Sequence, residues 1–140
     1  MPTELTRRPA PRPCDSCPYR RDVPSGVWVA DEYRKLLAYD RETPYQPTGV
    51  FLCHLQNGHV CAGWAGCHRG DDLLALRLAV ASGGMTVEDA VATIDYRSPV
   101  PLFSSGAEAC AHGLADVDAP GADAHRAMAK VRRGREASRA

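Results

Sequence analysis

The sequence predicts a small single domain that is mostly α-helical and carries one small β-hairpin. Three observations lead there. The chain has 140 residues, the size of one domain with one core. Several stretches place apolar residues at helical spacing, with a capping residue in front and glycine or proline behind. A single Asn-Gly pair, Asn57-Gly58, stands between two apolar runs. Hydrophobic residues make up 44% of the chain but aromatics only 6%, so the core is expected to be built mainly from Ala, Val and Leu.

The elements follow in order. Residues 1–13 hold four prolines and almost no apolar side chains, and read as a flexible or extended leader. Cys14-Asp-Ser-Cys17-Pro reads as a tight turn. Trp28, Tyr33, Leu36 and Leu37 recur at helical spacing and predict a helix near 29–39. Pro44 and Pro47 make 40–48 a loop. Gly49-Val-Phe-Leu-Cys-His-Leu, Asn57-Gly58 and His59-Val60-Cys61 together predict a hairpin over about 50–61. Asp71-Asp-Leu-Leu-Ala-Leu-Arg-Leu-Ala-Val-Ala predicts a helix with both aspartates at its positive end, stopped by Gly83-Gly84. Thr86 with Asp89 three residues on predicts a capped helix over 87–94. Ser104 or Ser105 caps a short helix through Cys110, and a last helix runs from about Asp123 to Arg135. The organisation is therefore a leader over 1–13, a globular domain over 14–122, and a basic C-terminal helix or tail over 123–140.

Formal charge is zero in total but segregated. Residues 1–21 carry five arginines against Glu4 and Asp15, and residues 125–140 carry five arginines and Lys130 against Glu136. Residues 22–124 hold six basic and 14 acidic side chains. A basic tail beside an acidic body reads either as an arm for a polyanion or as a helix folded back on that body. No aromatic side chain interleaves with the terminal arginines, so base stacking has no platform and sequence-specific DNA binding by the isolated chain is not expected. No apolar run approaches the ~18–20 residues that cross a bilayer, and no apolar stretch follows the first arginines as in a secretory signal. The expectation is a cytoplasmic protein without a membrane partner.

Six cysteines in such a chain point to metal or redox chemistry rather than structural disulfides. Five fall in two clusters: Cys14 and Cys17, then Cys53, Cys61 and Cys67, with His54 and His68 next to two of them. A C-x-x-C turn offers two thiolates to one cation, which is half of a tetrahedral site. The second cluster supplies the other half, making Cys14, Cys17, Cys53, His54, Cys61 and Cys67 the candidate ligands. Strand alternation decides among them. A two-residue turn at Asn57-Gly58 sets His54 opposite Cys61, with Cys53 on the other face. A three-residue loop with a bulge reverses the parity and joins Cys53 to Cys61. Cys110 stands alone on its helix and reads as core. The domain is thus expected to be organised around a cysteine-bound metal. Trp28 and Trp64 are expected to pack over the metal-binding turns.

The strings Cys14-Asp-Ser-Cys17-Pro18-Tyr19-Arg20, Phe51-Leu-Cys53-His54 and Cys61-Ala-Gly-Trp64 resemble a family of small actinobacterial and actinophage proteins of uncharacterised function. That family shares a CxxCP(aromatic)R turn followed by FxCH and CxGW, and the likeness spans about residues 13–80. It implies a cysteine-bound metal and little more. The Cys-x-x-Cys-Pro turn, the Cys61 to Cys67 spacing and Gly26-Val27-Trp28 are also similar to WhiB-like regulators, which carry a [4Fe–4S] cluster and act on transcription. In those proteins the longer cysteine spacing follows directly on CxxC, whereas 43 residues separate Cys17 from Cys61 here.

Three functions follow. The first is a structural metal site, zinc by preference, in an interaction or regulatory domain with a protein partner. The second is an iron–sulfur redox sensor of gene regulation. The third is a metal-dependent enzyme. Pro13-Cys14-x-x-Cys17 matches half of the zinc-deaminase motif, but no His-x-Glu occurs in the chain, so the proton-carrying Glu is missing. No phosphate-binding glycine loop or nucleophile elbow is present.

Overall fold

The computed structural model describes residues 4–139. Among these, the helices are α1 (Ala30–Ala38), α2 (Ala62–Cys67), α3 (Leu74–Ala81), α4 (Val87–Ile94), α5 (Gly106–Leu114) and α6 (Ala122–Arg139), with 3₁₀ turns at Thr43–Tyr45 and Gly70–Asp72. Extended pairing among the described residues is limited to isolated bridges. The chain is mostly helical, as its periodicity predicts.

α1 and α5 form the main helix pair. Tyr33 and Leu36 are the buried side chains of α1. Its exposed face carries Asp31–Arg34 and Glu32–Lys35 ion pairs at 2.9 and 2.8 Å, which suit the helix surface three residues apart. α5 begins with a double cap. The Ser105 hydroxyl accepts the Glu108 N–H, and the Asp40 carboxylate accepts the Gly106 and Ala107 N–H groups at 2.8 and 2.7 Å. The helices meet at glycines: a Cβ on Gly113 would lie 2.1 Å from the Tyr33 ring, and one on Gly106 would lie 2.1 Å from the Leu36 carbonyl.

α3 and α4 form a second pair. α3 ends in a Schellman cap: Gly83 takes φ +79°, the Gly84 N–H reaches the Ala79 carbonyl and the Gly83 N–H reaches that of Val80. α4 starts where Thr86 predicts, its hydroxyl accepting the Asp89 N–H. The N-terminal half of the expected 71–81 helix differs. Asp71 and Asp72 lie in the 3₁₀ turn, Leu73 is extended (φ −88°, ψ 107°), and the α-helix begins at Leu74. The cause is Gly70, which lies flat against Ile94 of α4; a Cβ there would be 2.6 Å from the Ile94 Cα.

The expected hairpin is reduced to one antiparallel bridge, Leu52↔Val60, flanked by Cys53 N–H to His59 C=O (2.9 Å) and Cys61 N–H to Phe51 C=O (2.8 Å). Gly58 is left-handed (φ +80°) and, among the described residues, no non-glycine residue is, so Asn57-Gly58 does not form the two-residue type I′ turn. His59 N–H instead closes on Gln56 C=O, with Gly58 in the position a type II turn reserves for glycine.

Residues 4–13 run extended over this unit. Arg7 pairs with His59 in a parallel bridge, the Thr6 N–H reaches the Gly84 carbonyl, and Arg8 pairs with Asp89 at 2.7 Å. Residues 1–3 of the leader and residue 140 of the tail lie outside the described residues.

Seven of the nine aromatic residues are buried, and Trp64, Tyr19 and Tyr33 are the largest fully buried side chains. The core is therefore centred on rings, with Ala, Val and Leu around them. Ala, Val and Leu still supply most of the buried apolar residues, as the composition predicts.

Candidate metal centre

The turn Cys14–Cys17 is closed by the Cys17 N–H on the Cys14 carbonyl (3.0 Å), and the Arg20 N–H continues it onto Cys17 C=O (3.1 Å). Arg20 is buried and clamps the turn from outside. Its guanidinium donates to the Pro13 carbonyl at 3.1 Å and to Asp22 at 2.7 and 2.8 Å, with Asp15 at 3.6 Å. The Trp28 indole N–H donates to the Ser16 carbonyl at 2.8 Å, so this tryptophan does sit on the turn. Trp64 is wholly buried in α2.

The hairpin register puts Phe51 opposite Cys61 and Cys53 opposite His59. Cys53 and Cys61 therefore share one face, the second of the two parities the sequence allows. That face meets the Cys14–Cys17 turn. The Cys17 and Cys61 sulfurs are 3.8 Å apart across 44 residues of chain. Cys14 makes side-chain contact with both Cys17 and Cys53. The four thiols thus lie near one another in the order Cys53, Cys14, Cys17, Cys61, with the closest sulfurs those of Cys17 and Cys61. Gly63 makes room for them: a Cβ there would lie 2.3 Å from the Cys17 sulfur and 2.8 Å from the Tyr19 Cβ.

Backbone N–H groups point at these sulfurs: Ser16 at Cys14, Tyr19 at Cys17, Leu55 and Gln56 at Cys53. Each favours a thiolate. Crowding and burial oppose it. Contact with Cys17, partly offset by contact with Cys53, and then burial push the Cys14 thiol up to about 11. Contact with Cys14 and burial push Cys53 far above the ordinary thiol range. For Cys17, contact with Cys14 lowers the value, and contact with Cys61 together with burial raises it well above normal. Neighbouring buried thiolates repel one another, and a cation bound between them would favour their charged forms. Among the described residues, no three His, Cys, Asp or Glu side chains already surround one point as a ready ligand set.

The other two candidates are placed elsewhere. His54 donates from Nε2 to the Glu32 carboxylate (2.9 Å) and stacks on Trp28 with ring centres 4.4 Å apart. Cys67 ends α2 on the side of Asp40 and Glu108; burial and then those two carboxylates push its thiol up to about 12. The neighbouring His68 bridges the Trp64 carbonyl (2.9 Å) and Asp40 (3.3 Å). Cys110 is buried in α5, as expected of a core thiol. All six cysteines are free of disulfides.

Arg20 and Gly63 both fall within the motif strings, but the sequence assigned neither of them a role in the site. The spacing of Gly63 two residues after Cys61 is a signal only once the register brings Cys17 beneath it. Two buried polar atoms near the centre, the Tyr19 hydroxyl and the Trp64 indole N–H, have no hydrogen-bond partner among the described residues.

No helix among the described residues is long and apolar enough to cross a membrane. No curated protein and no solved structure matches the chain. Residues 9–134 match the family of unknown function DUF6283, and over that span, nearly its whole length, the chain belongs to this family.

Proposed function

We propose that Cys14, Cys17, Cys53 and Cys61 bind one zinc ion as a closed structural site that fastens the CxxC turn to the 53–61 loop of a small cytoplasmic interaction or regulatory domain. The observation that carries this reading is the Cys17–Cys61 sulfur separation of 3.8 Å. A tetrahedron with zinc–sulfur bonds of about 2.3 Å has edges of about 3.8 Å. In a [4Fe–4S] cluster each cysteine holds a different iron, so the sulfurs stand farther apart than one such edge. A set of thiolates is soft and selects zinc, copper(I) or iron–sulfur over hard cations. Binding requires the Cys14 and Cys53 thiols to turn inward around the Cys17–Cys61 edge. Four protein ligands leave no open position for water, so the site holds structure rather than performing hydrolysis.

Elemental analysis of protein purified without air tests the reading. One zinc per chain is expected, lost in Cys14→Ser and Cys61→Ser and retained in Cys110→Ser. The first two variants melt well below the parent, while Cys110→Ser costs about 1–2 kcal/mol at most. A chain with no stoichiometric metal, and with equal tolerance of all three substitutions, refutes it. Brown protein with iron and acid-labile sulfide in place of zinc establishes the cluster reading instead.

A further inference from the structure

α6 is the most basic segment of the protein, with Arg126, Lys130, Arg132, Arg133, Arg135 and Arg139 against Asp123 and Glu136. Its buried stripe is narrow: Ala124 and Val131 are buried, and Ala127 and Met128 pack against the core. A helix of this composition is held mainly by the surface under it.

That surface is built from the two thiol loops and from Val27, Trp28, Val29 and Glu32 at the start of α1. Lys130 reaches Asp15, between Cys14 and Cys17, at 3.7 Å. Leu55, two residues after Cys53, lies against Gly134, with 3.7 Å from its Cδ2 to a Cβ built there. The Arg135 guanidinium sits 5.2 Å over the Trp28 ring. The same indole stacks on His54, next to Cys53, and donates to the carbonyl of Ser16. A cleft beside the helix is lined on its far wall by Asp15, Ser16 and Leu55. The docking surface of α6 therefore depends on the CxxC turn and the 53–61 loop being held together against the start of α1.

We propose that α6 is a metal-gated arm, docked when the four thiols close around their ion and released as a mobile basic segment when the ion is withdrawn. This rests on the zinc reading above. The α1–α5 pair, by contrast, is joined through its own glycine crossings and the Asp40 and Ser105 caps, so it stays folded when the arm leaves.

Hydrogen exchange on the full chain tests this, comparing zinc-loaded protein with protein stripped by a chelator under reducing conditions, with elemental analysis of both samples. Amides of 122–139 are expected to exchange at least ten-fold faster in the stripped protein, while those of 30–38 and 106–114 change less than three-fold. Zinc removed with no change in 122–139 overturns the arm and leaves the zinc reading standing. Equal acceleration in all three segments is global unfolding and also overturns it. Protein that never held metal fails the zinc reading itself and the arm with it. Linkage gives an independent check, because coupling between two sites is reciprocal. Val131→Asp, which spoils the docking stripe, lowers zinc affinity at least ten-fold in chelator competition, and the milder surface change Lys130→Glu lowers it in the same direction. Unchanged affinity in both overturns the proposal.

Discussion

Gly63→Ala adds one methyl group beneath the thiol cluster. That carbon would lie 2.3 Å from the Cys17 sulfur, 2.8 Å from the Tyr19 Cβ and 3.3 Å from its Cδ2. Cys17 and Tyr19 are completely buried, so neither can swing into solvent, and the CxxC turn or α2 must move. Overpacking of this kind costs about 1–3 kcal/mol. Replacing a helical glycine by alanine returns up to about 1 kcal/mol. The net expectation is a loss of about 1–2 kcal/mol, or a melting point lower by about 3–8 °C in a chain of this length. The movement also separates Cys17 from Cys61, so zinc affinity falls with stability. Gly49→Ala is the control: nothing lies within 4 Å of its added carbon, and its stability should hold or rise slightly. Denaturant unfolding and chelator competition on the two variants decide the matter. If Gly63→Ala is as stable as Gly49→Ala and holds zinc as tightly as the parent, the packing argument and the placement of Cys17 under α2 are both wrong.

Tyr19→Phe removes a buried hydroxyl that has no partner among the described residues, so urea unfolding should show unchanged or slightly higher stability; a loss above about 1 kcal/mol would reveal a bond to that oxygen. Ser105→Ala deletes one of the two caps of α5 and should cost about 1 kcal/mol, with Asp40 still holding the Gly106 and Ala107 N–H groups; denaturant midpoints measure it. Burial beside Asp40 and Glu108 pushes the Cys67 thiol from its ordinary value of about 9 up to about 12 in the folded chain. Because the folded value is raised, its contribution to stability is complete below about pH 9 and is lost as pH rises from 9 towards 12. Parent protein should therefore lose more stability than Cys67→Ala between pH 8 and pH 10.5 in unfolding titrations, and parallel curves would contradict this.

Where local chemistry decides structure, the sequence was readable. Thr86 caps α4 and Ser105 caps α5 at the positions their side chains predict, and Gly83-Gly84 stops α3. α1 follows from apolar spacing alone. Where tertiary contact decides, the sequence was silent or misleading. α2 holds Gly63 and Gly66 within six residues, a composition that reads as loop. It is helical because those glycines let it lie against Cys17, Tyr19 and the Leu102 side chain. The Asp71-Asp72 pair looks like a helix start, but the contact of Gly70 with Ile94 delays the helix to Leu74. The thiol set was legible as two clusters. Choosing within the second needed the hairpin register, which depends on whether Asn57 joins Gly58 in left-handed backbone; it does not.

Arg7 binds, through its own N–H and C=O, the Gly58 carbonyl and the Val60 N–H at 2.7 and 2.9 Å. Those groups form one border of the hairpin. With Arg7 gone they would stand open beside Leu52, whose side chain is already 46% exposed. An uncovered border next to an apolar side chain is a template for strand addition by another molecule. Arg7 thus covers this border against strand addition. A form beginning at residue 9 should keep its helices yet show concentration-dependent aggregation that the longer chain resists.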